Sequence, residues 1–506
     1  MPRTTIRSED ITAAQVKTAD MAIDPTNASN LASGDVPLAQ LGNVPDTDTS
    51  GLEADIALLA FKTQANGNLA RYDLVDQSVD AFEDASGVNA GVSTGEIRNA
   101  AGKYYRGGTA GTVTGGTITT HGTYTVHTFT VSGDFITDVA GTADVLLVGG
   151  GGSSGGAHAQ NGVGGGGGGG GVRALAAQSV SAATHAVVVG AGGAGPGQYG
   201  NNGAASTIVL GSTLSAAGGG HGGYGTNDTT DSRDGGAGGS GGGGGRGQSA
   251  KSGGAGNTPS TSPAQGFAGG NAGGASTGAG GGGGASEIGA TSTASNTGSA
   301  GGDGVANDWR TGSNVTYGGG GGGAGWSNSP QANRGVGGAG GGGPSGYHGD
   351  EVGQDGTANT GGGGGGATGG TGTHRGSSSG GSGIVVIRYD TAAGFSTSNN
   401  MSLVSNAVTA QAQPTKADVV LTYTNGAGTA TINTDLIASV SRDGGTTYTA
   451  TTLASQGTTG GHTILTANDV DISGQPAGTS MVWKVATANQ SVSKETRIHA
   501  VRLGWS

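Results

Sequence analysis

The chain of 506 residues has no cysteine, which excludes disulfides, thiolate zinc sites and iron–sulfur clusters together. It has 11 prolines against 117 glycines, and the glycines fall in contiguous runs, so a collagen triple helix with glycine at every third position is excluded. Only 11% of residues are charged and 32% hydrophobic, poor in both for a globular enzyme. The formal net charge of −12 leaves no basic footprint for a nucleic acid. No stretch approaches the roughly 18 apolar residues of a membrane span, and the first ten residues lack the apolar core of a signal peptide. The length predicts three or four domains.

What is abundant is glycine. Between Gly149 and Gly383, 90 of 235 residues are glycine, with runs at 149–152, 164–171, 241–245, 280–284, 318–323, 340–343 and 361–366. Ordering each residue costs about 1–2 kcal/mol of backbone entropy, and glycine loses the most. The segment is therefore either a flexible tether or a body held by dense backbone hydrogen bonding. Apolar strand-like runs bracket it and favour the second. Lacking Cβ atoms, extended left-handed glycine helices can approach closely enough to bond chain to chain, which gives every buried N–H and C=O a partner.

The remaining chain predicts a mainly β protein. Residues 1–50 are polar with scattered anchors, among them Ile6, Ile11 and Val16, and read as an extended attachment arm. Residues 51–90 hold two short helical patterns: Leu52, Ile56 and Leu59, then Val75, Val79 and Phe82. With no core nearby, both predict an oligomerisation segment. Residues 91–116 read as a linker. In the glycine-rich domain, 117–392, strands are expected at Thr123–Val131, Asp144–Val148, Val172–Ala177, His185–Val189, Ser206–Leu210 and Ile384–Tyr389. The last is too apolar to be exposed on both faces. The picture is a small sheet clamping packed polyglycine helices. Residues 395–506 predict an antiparallel β-sandwich, with strands at Met401–Val408, Ala417–Thr424, Ile437–Ser441, Thr446–Thr452, Thr463–Leu465, Met481–Ala486 and Thr496–Leu503.

Several motifs tempt and fail. Two G-x-G-x-x-G matches, at 150–155 and 190–195, lack the helix that would face a pyrophosphate. G-x-S-x-G occurs at Ser153, Ser240 and Ser378 without a legible His and acid. The nine histidines are dispersed, and Asp228, Asp231 and Asp234 miss the calcium-loop spacing. No catalytic residue, cofactor or metal is expected. Aromatics between the glycine runs remain: Tyr199, Tyr224, Trp309, Tyr317, Trp326 and Tyr347, with His221 and His348 nearby. They either form a binding face, for sugars among other ligands, on rigidly held loops or fill gaps in an interior poor in side chains. Trp483 alternates with Met481 and Val485 and reads as core.

The stretch Tyr124-Thr-Val-His-Thr-Phe129, the strand Val145-Leu-Leu-Val148 running into glycine, and the exit Ser382-Gly-Ile-Val-Val-Ile-Arg-Tyr389 resemble the glycine-rich domain of bacteriophage tail fibre proteins. Asp24–Leu31, Gln40–Pro45 and Leu74–Gly87 resemble fibre proteins of marine tailed phages, and Asp443-Gly-Gly-Thr-Thr-Tyr448 is similar to hairpins in their C-terminal domains. The glycine runs look similar to the polyglycine helix sandwich of T-even-type tip adhesins, from which this chain departs by the β-domain that follows. The resemblance implies a homotrimer in the virion, an N-terminus bound to a tail or adaptor protein, and a distal part that holds a bacterial surface glycan or lipopolysaccharide. It supplies no catalytic residues. Some such fibres cleave capsule, but the paired carboxylates and β-solenoid repeat of a depolymerase are not legible here, so no enzyme activity is expected. Composition predicts neither a nucleic-acid partner nor membrane insertion.

Overall fold

A computed structural model describes Leu59 and residues 76–506 apart from 160–161, 227–232, 275–277, 294–296, 326–333, 348–350 and 371–373. Ile6, Ile11, Val16, Leu52, Ile56, Val75, Trp326 and His348 lie outside the described residues. From residue 76 onward every regular element described is a strand, in several antiparallel sheets.

Residues 396–506 fold as a two-sheet sandwich, but they do not complete it alone. The C-terminal strand Glu495–Trp505 pairs along one edge with Lys416–Ala427. Along its other edge it takes two segments from far earlier in the chain, Gln77–Asp80 and Tyr104–Gly107. Glu96–Asn99 then pairs with Tyr104–Gly107. The second sheet centres on Ser480–Thr487, between Leu436–Ser441 and Ser402–Val404. The core between the sheets includes Leu421, Val440, Leu465, Trp483 and Leu503, so Trp483 is core as its alternation predicts.

This corrects the expectations for residues 75–116. Val79 lies on a strand opposite Arg502, not on a helix, and Phe82 is fully buried against Tyr105 and Trp483 at ring-centroid distances of 4.9 and 6.2 Å. The helical spacing of Val79 and Phe82 is overridden because pairing with the C-terminal strand supplies the backbone partners. Asp80 then turns the chain by accepting the Phe82 N–H at 2.8 Å. Phe82 thus serves the core of its own chain. Residues 91–116 are not a linker: they carry Glu96–Asn99 and Tyr104–Gly107, and Val113–Thr114 joins the next domain.

The glycine-rich domain is an insertion in this sandwich. Thr109–Ala110 on the way out pairs with Ser396–Thr397 on the way back, forming a two-stranded stalk. Arg106, almost fully buried, ties the junction: it meets Glu495 at 3.4 Å and donates to the Ala392 carbonyl at 3.1 Å and to the Ser396 hydroxyl.

Beyond the stalk stand two five-stranded sheets. One places Ile384–Asp390 between Gly141–Val148 and Tyr124–Phe129. The other runs from Ser212–Ala216 through Ser206–Leu210 and Ala183–Val188 to Gly133–Thr137. Phe129, Phe135, Leu147, Val187, Ile208 and Ile387 pack between them. Leu146, Val148, Ile384 and Val386 face the other way and are covered by the hairpin Val305–Asn307 and Val315–Tyr317. Burial on both faces is why Ile384–Ile387 reads as a continuous apolar run.

Candidate functional site

The strand Gly141–Val148 runs directly into a glycine segment, and Val172–Val180 and Ile384–Asp390 start directly from one. The run Gly164–Gly171 shows how these segments hold together. Gly164, Gly167 and Gly170 donate to Ala367, Gly364 and Gly361. Gly165, Gly168 and Gly171 donate to Gly223, Gly220 and Ala217. Gly166 and Gly169 donate to Gly280 and Gly283, and all eight bonds are 2.7–3.1 Å long. The carbonyls of the run accept from Gly149, Gly152 and Gly155, from Ser240 and Gly243, and from Gly321 and Ala324. Successive N–H groups thus rotate among three neighbours with a period of three, the repeat of a polyproline-II-type helix. The C=O groups use three other neighbours. The run is surrounded by six segments, 149–155, 217–223, 240–243, 280–283, 318–324 and 361–367.

This spacing excludes side chains. A Cβ at Gly167 would stand 2.1 Å from the Gly152 carbonyl oxygen, and one at Gly169 would stand 2.2 Å from that of Gly318. The tempting motifs are absorbed here. Ser153, Ser240 and Ser378 are buried within the bundle. Segment 150–155 is one of its helices, bonded on successive residues to Ala204, Gly381 and Gly168. Asp234 accepts the Ser252 N–H at 2.8 Å, while Asp228 and Asp231 lie outside the described residues. Among the described residues no three His, Cys, Asp or Glu side chains are grouped to hold a metal.

The aromatic candidates separate into three places. Tyr199 and Tyr224 meet at 5.3 Å; Tyr224 is fully buried with its hydroxyl 3.0 Å from His374 Nδ1. Tyr199 is 38% exposed, and the Arg233 guanidinium lies 3.8 Å from its ring centre. Trp309 and Tyr317 belong to the hairpin that covers the sheet. Tyr317 is fully buried, which pushes its hydroxyl pKa up. Trp309 and Tyr124 enclose Arg388, which also pairs with Asp144 at 3.0 Å. Tyr347 is half-buried under Arg334, which donates to its hydroxyl at 2.8 Å. Tyr224 and Tyr317 are therefore fillers of the interior and present no surface to a receptor. Among the described aromatic candidates Tyr199 is the most exposed. The histidines His158 and His374, in ring contact at 4.4 Å near Tyr224, carried no sequence signal because they are 216 positions apart.

Sequence reasoning also missed a depression of about 360 Å³ on the glycine-rich domain. It lies between the edge strand Thr117–His121 and the turn of the covering hairpin, and Thr117, Thr119, His121, Thr128 and Arg310 line it. The run of threonines was its one visible signal.

Compared with curated proteins, the chain matches none. A family model described as a glycine-rich domain matches residues 129–390, more than half of the chain. That span begins in the strand Tyr124–Phe129 and ends with Ile384–Asp390, taking in the bundle, and the chain belongs to this glycine-rich domain family.

Proposed function

We propose that this chain is a structural protein of a bacteriophage tail fibre that attaches the virion to a bacterial surface glycan or lipopolysaccharide. The observation that carries the reading is the bundle around Gly164–Gly171, a body cross-linked through its main chain in six directions. Such a body is stiff without a side-chain core and suits an appendage that must present loops at a fixed distance. The insertion adds a direction. If residues 1–75 reach the tail or an adaptor, the sandwich follows and the bundle stands beyond it on the stalk. A homotrimer, with several fibres on each particle, converts weak sites into firm attachment.

The test is adsorption by phage whose fibre lacks residues 111–395 but keeps the sandwich. The expected result is intact particles that no longer adsorb. Unchanged adsorption rules the reading out.

A second reading, a spacer whose neighbour binds the receptor, is favoured by the inward placement of Tyr224 and Tyr317. Purified full-length protein separates the two: binding to host cells supports attachment, and its absence with normal assembly supports the spacer.

A further inference from the structure

We propose that the depression beside the edge strand Thr117–His121 is a binding site for an acidic saccharide, one that carries a carboxylate on a sugar ring. The proposal rests on the attachment reading for its biological ligand, but not for its chemistry. Thr117, Thr119 and His121 alternate along one face of the strand. That face is the one whose neighbours Val126 and Tyr124 lie under the hairpin, since Thr119 pairs with Val126 and His121 with Tyr124. Thr128, opposite Thr117, extends the face inward. The hairpin covers the middle of the sheet and stops short of this edge, and the gap it leaves is the depression.

The hairpin turn is fixed to the strand. His121 Nε2 lies 3.2 Å from the Trp309 carbonyl oxygen, so in the neutral ring Nε2 carries the proton and Nδ1 is left as an acceptor. Gly312, at φ +74°, keeps that nitrogen open, since a Cβ at this position would stand 3.2 Å from it. The turn delivers Arg310 to the rim, beside the buried Tyr317 hydroxyl. The nearest acid in sequence, Asp308, is turned to Arg388 at 3.8 Å, and no carboxylate is among the residues lining the depression. Arg310 therefore lines the space as a cation held beside the Tyr317 hydroxyl, with no carboxylate among the described lining residues.

Threonine hydroxyls donate and accept, as sugar hydroxyls do, and their methyl groups meet the apolar face of a ring. A guanidinium recognises a carboxylate through two parallel hydrogen bonds. The combination of hydroxyls, one acceptor nitrogen and one guanidinium is complementary to a polyhydroxylated anion. The volume matches one or two sugar rings at the lower end of ligand sites.

The experiment titrates the full-length protein with trigalacturonic acid and, separately, with neutral galactotriose, read by calorimetry and by NMR of threonine methyl groups. The acidic trisaccharide should bind and shift the methyls of Thr117, Thr119 and Thr128. Arg310→Gln should weaken it at least tenfold, and Thr119→Val severalfold, with thermal unfolding unchanged. Equal binding of galactotriose, or undiminished binding to the folded Arg310→Gln variant, overturns the proposal, as does no binding by the wild type. Binding of the acidic sugar by a protein whose bundle proves dispensable for adsorption would leave the site standing while the attachment reading falls.

Discussion

At the scale of single residues, the bundle and the sandwich fail in opposite ways. In the bundle the tolerance for added atoms is almost nil. Gly167→Ala would drive a Cβ to 2.1 Å from a carbonyl oxygen that cannot move without displacing its own helix. Overpacking of this kind costs about 1–3 kcal/mol or more. Gly474→Ala, where nothing lies within 4 Å of the added atom, should change stability by no more than about 0.5 kcal/mol. Chemical denaturation of the two variants checks the contrast. In the sandwich the sensitive residues are buried polar groups. Arg442 donates to the carbonyls of Pro414, Ser473, Gln475 and Pro476 from an almost fully buried position. Arg442→Met fills the volume but strands those acceptors, and should cost about 3–5 kcal/mol in the same measurement.

Histidine sets the acid response. Burial, then the neighbouring His462 and Arg497, push the pKa of His499 down to about 3 from 6.5. The folded protein therefore refuses a proton that the unfolded chain accepts. Stability is full above about pH 6.5 and falls as pH drops towards about 3. His127, also lowered by burial, acts in the same direction. Asp435 is held well below the usual carboxylate range by Asn489, Lys494 and the Thr431 N–H, and its contribution is lost only below about pH 3.8. His499→Gln should therefore flatten part of the decline in Tm between pH 6.5 and 4. The remaining slope in that window includes the contribution of His127, offset in part by Asp80, whose carboxyl pKa burial pushes up, and the Asp435 loss below it should persist.

Elements in the bundle are defined by which neighbour each amide faces. All eight N–H groups of Gly164–Gly171 are bonded to other segments far away in sequence. None of those bonds forms unless the surrounding helices are in place. Hydrogen exchange should then show the whole run protected together, and lost together on denaturation, rather than fraying from one end as a local helix does. Free exchange across the run would mean that the bundle is not formed. Much of this level was legible in the sequence. Alternation and flanking turns located Ser206–Leu210 at its observed bounds, and Ile384–Asp390, Lys416–Ala427, Leu436–Ser441, Ser480–Thr487 and Glu495–Trp505 nearly so. Met401–Val408 and Thr446–Thr452, by contrast, were expected too long, Thr463–Leu465 too short, and Ala454–Thr459 not at all. The contiguous glycines announced close-packed main chain. Three things were not legible. Gln77–Asp80 is four residues long, too short for a period to declare itself, and its partner lies more than 400 positions away. The glycine and threonine of residues 91–116 resemble a linker, and only pairing with the C-terminal strand makes part of them sheet. Whether Tyr224 or Tyr317 faces inward depends on helices and strands drawn from elsewhere, which no local pattern encodes.

For the whole molecule, the decisive feature is that one domain is threaded through another. The chain leaves the sandwich at Thr109–Ala110 and re-enters at Ser396–Thr397, and these two segments are hydrogen-bonded neighbours. Every strand of the sandwich lies outside the insertion, as do the members of its core, from Phe82 to Trp505. Joining Ala110 to Ser396 through a short turn such as Asn-Gly therefore requires no rearrangement, because the ends already stand in the register of a hairpin. The shortened protein should fold to the same sandwich, with Trp483 and Trp505 buried and a cooperative transition of its own. It loses contacts across the junction, including the bond from Arg106 to the Ala392 carbonyl. Its stability should consequently fall by about 1–2 kcal/mol relative to the sandwich transition of the full chain. The converse construction, residues 91–506, removes Gln77–Asp80 and Phe82. It leaves a large aromatic hole against Tyr105 and Trp483 and strips one edge of the C-terminal strand. Loss of a buried phenylalanine alone costs about 3–5 kcal/mol, so this truncation should unfold first even though it retains every residue after the supposed linker. If instead the truncation proved as stable as the full chain while the internal deletion failed to fold, the sandwich would owe nothing to its early strands. The reading of the glycine-rich domain as an insertion in an independently folding sandwich would then have to be abandoned.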